Sequence, residues 1–265
     1  MKNTNRILLL IATLTLFAGC GTVYRVLLGV DISPNWKTDE RIAKDAKKYK
    51  IPSEFNLVMD TVGFYSELRA TYKNIFANLD IKDGDSTEYF KARNVLKDDG
   101  QPVQFRLFDK QGTEIFKMVN CYVDPPIPMS WNVDGCFDTF PAQTNIKSLN
   151  VHNFGIDLFL SNSTTLNKKQ FSLEDLPEAD YYGVILWNDF YIKPSKKLIK
   201  TVRKYIEDSN ENVVLLYIHN HNSYLWQVMD AENKNKVKDY YKEEREKKIE
   251  KERKRTEKRN RLVHL

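Results

Sequence analysis

Cysteine is the side chain whose chemistry matters first here, and the 265-residue chain holds three: Cys20, Cys121 and Cys136. A thiolate attacks a disulfide, carries a lipid as a thioether, or closes a bridge with a second cysteine. A further segment, Tyr191-Ile192-Lys193-Pro194-Ser195-Lys196, sits where an apolar run gives way to a helical pattern. Helix N-termini depress thiol pKa values, yet no thiol stands here, and Ile192 cannot ionise at any pH. His219-Asn220-His221 places two imidazoles at i and i+2 on one side of a strand end, a spacing that allows a shared metal. No neighbouring cysteine, third spaced histidine or acidic cluster accompanies them, so they read as loop histidines and no metal is expected. Asp60, Asp80, Asp83 and Asp85 mostly fall beside Thr, Gly or Ser and read as caps and turns. No Ser-His-Asp order, phosphate loop or dinucleotide glycine pattern is present, so neither catalytic residues nor a cofactor is expected.

The elements that must position these groups follow from periodicity. Trp36–Lys48 reads as a helix with Asp39 and Glu40 in its first turn and Pro52 beyond its end. Val62, Tyr65, Leu68, Tyr72, Ile75, Phe76 and Leu79 recur at three and four residues, the clearest amphipathic helix in the chain. That stripe reads as core, with a ligand groove as the alternative. Asp83-Gly84 breaks the chain, and a shorter helix is expected over Thr87–Leu96. After Pro102 the period becomes two, and Val103–Phe108 with Glu114–Val123 predict a hairpin around a Gly-bearing turn. A strand is expected around Ile156–Leu160 and a polar loop over Ser161–Gln170. Tyr182–Trp187 and Val213–Ile218 are apolar runs suited to buried strands, with a helix from Ser195 to about Ile206 between them. That βαβ unit implies parallel pairing and an α/β (α+β) fold with a mixed sheet.

The two chain ends differ in character. Residues 231–265 carry fourteen Lys/Arg and eight Asp/Glu, a net of +6 against +5 for the whole chain, so the rest sums to −1. Glu243–Lys247, Glu244–Lys248, Glu250–Lys254 and Glu257–Arg261 are acid-to-base pairs at i,i+4 and predict a solvated helix over 235–262. An anionic surface, membrane or glycan, is the partner such a tail would meet. At the N-terminus, Lys2 and Arg6 precede the run Ile7–Phe17, which at about 1.5 Å per residue is too short to span a ~30 Å hydrocarbon core. Ala18-Gly19-Cys20 closes it. This arrangement resembles a bacterial lipoprotein signal peptide, with Phe17 where Leu is usual. The resemblance implies cleavage before Cys20, acylation of its thiol and new N-terminus (palmitate among the chains), and lasting attachment to a bilayer. Gly21, with no Asp beside the lipid site, favours the outer membrane of a Gram-negative cell envelope. Nucleic acid is not an expected partner of an exported lipoprotein.

Export leaves Cys121 and Cys136 as an even pair in an oxidising compartment, bracketing Tyr122–Gly135 with its Pro125, Pro126 and Pro128. A disulfide closing this ~15-residue loop would contribute about 3 kcal/mol by chain entropy. Two buried thiols or a redox pair are the alternatives. The stretch Leu176–Asn222 resembles the thioredoxin-like superfamily, whose redox element Trp-Cys-Gly-Pro-Cys-Lys also follows a buried strand and opens a helix. Tyr191 fills the aromatic place, Pro194 and Lys196 match, Ile192 and Ser195 replace the cysteines, and Lys193 completes the degenerate motif. Ser195 is then expected to cap the helix. The family's later strands are not recognisable downstream, and strands from 103–160 are expected to complete the sheet.

Together these readings predict a signal peptide over 1–19, a lipidated and apolar linker over 20–35, a helical region over 36–100, a partial or divergent thioredoxin-like α/β domain over 101–225 and a charged helical tail over 226–265. The expected function is a membrane-anchored, non-catalytic binding or structural module with a protein or glycan partner. The competing classes are a thiol-disulfide oxidoreductase or isomerase using Cys121 and Cys136, and a small-ligand carrier or sensor built on the aromatic N-terminal half.

Overall fold

A computed structural model describes residues 35–77, 93–94, 96–120, 130–143, 154–236 and, in the tail, 238, 239, 243, 246, 247, 250, 253 and 254. Helix α1 spans Asp39–Lys48, with the Thr38 hydroxyl accepting from the Arg41 amide, acids in the first turn and Lys47 and Lys48 in the last. It starts later than Trp36 because the backbone N–H and carbonyl of Lys37 are both held by the Asn222 side chain. Strand β1 follows at Asn56–Met59. Asp60 then takes the amides of Val62 and Gly63 to open helix α2, Gly63–Ala77. Strands β2 (Gln104–Asp109) and β3 (Glu114–Val119) form the expected hairpin. Asp109 accepts from Gln111 and Thr113 in its turn, and Gly112 takes the left-handed φ of 79° that the turn requires.

The stretch 156–160 is not a strand. It forms a short helix α3, Asp157–Ser161, because Leu158, Phe159 and Leu160 are all buried consecutively, a burden a half-exposed edge strand could not carry. The strand falls two residues later, β4 at Ser163–Thr165, inside the stretch expected as a polar loop. Strand β5 (Tyr181–Trp187), helix α4 (Ile192–Ser209), strand β6 (Val213–His219) and helix α5 (His221–Val228) complete the series.

The sheet is mixed and six-stranded, in the order β3-β2-β5-β6-β1-β4. β5 and β6 pair in parallel from Tyr181↔Val213 to Trp187↔His219, and β1 pairs in parallel with the other edge of β6. β2 lies antiparallel to β5, so the hairpin from residues 104–119 extends the sheet on that side. Helices cover both faces, which is why β5 is apolar without alternation. On one face Phe64, Leu68 and Tyr72 of α2 and Phe159 of α3 pack on Leu57, Val184, Leu186 and Ile218. On the other, Ile42 and Ala46 of α1 and Leu198, Ile199 and Val202 of α4 pack on Phe105, Leu107, Ile185 and Trp187. The Tyr65–Tyr72 stripe is therefore core.

Residues 225–265 form a second compact unit, helical at every described position from 231 onward. Lys236–Glu232, Arg253–Glu250 and Lys254–Glu250 make the ion pairs expected of a solvated helix. Among the described residues no helix is long and apolar enough to cross a membrane.

Candidate functional site

The degenerate motif lies where β5 meets α4. The helix begins at Ile192, with Tyr191 at the cap position, so Ser195 is not the cap that its type suggests. Ser195 is instead fully buried in the first turn. Its hydroxyl donates to the Asn188 carbonyl at 3.0 Å and accepts the Asn188 amide at 3.2 Å. Asn188 shapes the turn into the helix, its side-chain oxygen accepting the Tyr191 amide at 2.8 Å. Pro194 occupies the first turn, where amides have no intrahelical partner and the missing N–H costs nothing. Ile192 is half-buried and Lys193 exposed. Asn188 and Asn220 then tie the ends of β5 and β6 together: both amides donate to the Pro102 carbonyl at 2.9 Å, and Asn188 donates to Asn220 at 3.1 Å. Every polar group of the motif's serine is spent on holding this turn.

Cys136 is buried among aromatic side chains, with its thiol donating to the Trp131 carbonyl at 3.6 Å. Burial pushes the thiol up to about 11, and Asp138 and Asp134 push the same way, opposed by the Val133 backbone. It neighbours Tyr205 near the far end of α4. Ten residues of helix rise, about 15 Å, separate Tyr205 from Ser195, so this thiol is not brought to the motif. Cys121 and Cys20 lie outside the described residues, as do Asp80, Asp83 and Asp85.

Beside the motif, at the C-terminal ends of the parallel strands, stand four groups that one chain position does not predict from another. His219 ends β6 and His221 opens α5; both are buried, with ring centroids 5.9 Å apart and nearly parallel planes. Asp189 follows β5, its Oδ2 lying 3.6 Å from His219 Nε2 and 3.5 Å from Lys37 Nζ. Burial opposes the Asp189 charge, but His219, Lys37 and His221 together hold its carboxyl well below the usual range. Burial, reinforced by His219 and Lys37, pushes His221 down to about 4. The Tyr49 phenol, pushed up to about 12 by burial and then by Asp189 and Asp45, stands on the α1 side. The histidines are thus interior, not loop surface. Among the described residues no three His, Cys, Asp or Glu side chains converge as a metal site.

A second buried set was invisible to period-two reasoning. Arg106 donates to Asp99 at 2.8 Å, to Gln104 at 2.9 Å and to Glu114; Lys117 donates to Asp99 at 2.7 Å, and Tyr72 donates to the same carboxylate. The alternation of Gln104 and Arg106 with Phe105 and Leu107 reads as a solvent face, yet all four are buried. Two cations face two carboxylates; burial pushes the Glu114 carboxyl up, against the pull of Arg106 and Lys117. The role of the set is structural.

A hollow of about 460 Å³ is lined by Asp157, Leu160, Ser161, Gln170 and Phe171. Tyr65, Tyr72 and Phe76 do not line it: Tyr65 and Tyr72 are core, with their hydroxyls donating to Gly100 and Asp99.

With fold and site in view, the chain is an α/β protein with no thiol at the turn between β5 and α4. Comparison with family models, curated proteins and solved structures finds no match.

Proposed function

We propose that this protein is a lipid-anchored cell-envelope lipoprotein, attached through acylated Cys20, whose body is a non-catalytic binding or structural module on a divergent thioredoxin-like scaffold. The observation that carries the non-catalytic part is Ser195, fully buried and bonded twice to Asn188 at the place of a resolving cysteine. Ile192 at the nucleophile's place supports the same reading. The antiparallel hairpin β2–β3 extends the sheet beside β5, upstream of the βαβ unit, and supports reading the scaffold as divergent. The anchor rests on Lys2, Arg6, the run Ile7–Phe17 and Ala18-Gly19-Cys20. Attachment to the outer membrane, and contact of the 235–262 tail with an anionic surface, belong to the same reading. A redox enzyme built on Cys136 is disfavoured because its thiol is shifted away from the thiolate such chemistry requires.

The test combines mass spectrometry of the N-terminal peptide with an insulin-reduction assay. The expected results are a diacylglyceryl-modified Cys20 that Cys20→Ser abolishes, and no turnover above background. An unmodified Cys20 on the mature chain would defeat the anchor, and turnover lost in Cys121→Ser would defeat the non-catalytic reading.

A further inference from the structure

Asn35–Thr38 is tied to the sheet's C-terminal edge by unusual partners. Asn222 accepts the Lys37 amide at 2.8 Å and donates to the Lys37 carbonyl at 2.7 Å. His221 Nε2 lies 2.9 Å from the Asn35 carbonyl, and Lys37 Nζ lies 3.5 Å from Asp189. A carbonyl only accepts, so Nε2 carries the proton and Nδ1 is the basic nitrogen of the neutral ring. Nδ1 is buried and has no hydrogen-bond partner among the described residues. A second proton on this ring would sit at Nδ1 with no acceptor beside it among the described residues, and its charge would face Lys37, which the segment itself carries. Burial, His219 and Lys37 outweigh Asp189 and the Asn35 bond, which favour that charge. The charged and titratable groups facing His221 are His219 from β6, Asp189 from the end of β5, Lys37 from the segment itself and, beyond Asp189, Tyr49 from α1. The one carboxylate among them is already shared between Lys37 and His219.

We infer that Asn35–Thr38 is an acid-released latch, closed while His221 is neutral and opened when proton uptake at Nδ1 sets a further cation beside His219 and Lys37. In the closed form His221 is held at about 4 against an ordinary value of 6.5. On the latch reading, opening restores the ordinary value. The closed form is accordingly favoured in full above pH 6.5 and loses its preference as pH falls towards 4, by on the order of a hundredfold. Asp189, held below the carboxylate range, does not titrate in that window. The consequence for attachment rests on the lipoprotein reading: release adds the residues before α1 to the tether between Cys20 and the body.

Hydrogen–deuterium exchange on the full chain in detergent, from pH 7.5 to 4.5 and corrected for intrinsic rates, tests the latch. Protection of the Lys37 amide should fall by on the order of a hundredfold, while the β5 amides of Tyr182–Leu186 stay protected. His221→Gln keeps a donor for Asn35 but takes no proton, and its profile should be flat. Should that variant fail to fold, an NMR titration of His221 in the unaltered chain decides: a depressed midpoint tracking Lys37 exchange supports the latch, and an ordinary midpoint overturns it. Unchanged Lys37 protection, a loss shared equally by β5, or a His221→Gln profile that follows the parent also overturns it. The mass of the Cys20 peptide from the same sample reports separately on the anchor.

Discussion

Ser195 shows how one side chain can look like chemistry and serve structure. At the start of a helix its type suggests a cap, and in a redox-like hexapeptide its place suggests a lost cysteine. Its hydroxyl instead closes the β5–α4 turn against Asn188. Ser195→Ala should leave two buried backbone groups short of a partner and cost about 1–3 kcal/mol, read as a lower urea midpoint at unchanged slope. Cys136 offers the complementary case. With its thiol pushed up to about 11 and buried, alkylation of the reduced protein at pH 8 should run roughly a hundredfold slower than that of a free cysteine. Alkylation at a free-thiol rate would remove this argument against redox chemistry.

At the scale of elements, the hairpin β2–β3 joins the sheet through a charged interior. Asp99 is the hub, receiving Arg106, Lys117 and Tyr72. Burial opposes its charge, but Arg106 and Lys117 prevail and hold its carboxyl below the usual range. Asp99→Asn leaves both cations without their shared counter-charge and should cost about 3–5 kcal/mol at pH 7 by chemical denaturation. Because the native carboxyl is the more acidic one, this contribution is present above the unfolded value of about 3.9 and fades as pH falls below it. The difference between parent and variant should therefore narrow at pH 3. A difference that stays constant with pH would assign the loss to packing. The same elements explain which predictions from periodicity held. Runs buried on both faces, such as β5, look continuous and were legible. The Arg106 face alternates as though wet, because a pattern records polarity and not what is packed above it.

For the whole molecule, charge and architecture are divided between body and tail. Deleting residues 231–265 removes fourteen Lys/Arg and eight Asp/Glu and takes the net charge from +5 to −1. Because residues 225–265 form a unit of their own, truncation after Asp230 should leave the melting temperature of the body within about 2 °C. In a chain lacking residues 1–20, so that no acyl chain reaches the bilayer, the same truncation should abolish low-salt binding to vesicles containing anionic lipid, which the chain with its tail should show and lose as salt rises. Binding retained after truncation would move the contact to the body.

Much of this protein was fixed by local sequence. The parallel βαβ unit, the hairpin, the amphipathic α2 and the charged tail follow from residue period and turn chemistry, which act within a few positions. So does the absence of a thiol at the turn between Trp187 and Leu198. Tertiary structure decided the rest. It drew β1 into the sheet beside β6, made a helix of 157–161 and buried the Asp99 set. It also brought Lys37 to Asp189 and His221 to Asn35 across more than 150 residues of chain. Those contacts depend on which strand ends the sheet places side by side, and no periodicity along a single chain encodes that neighbourhood.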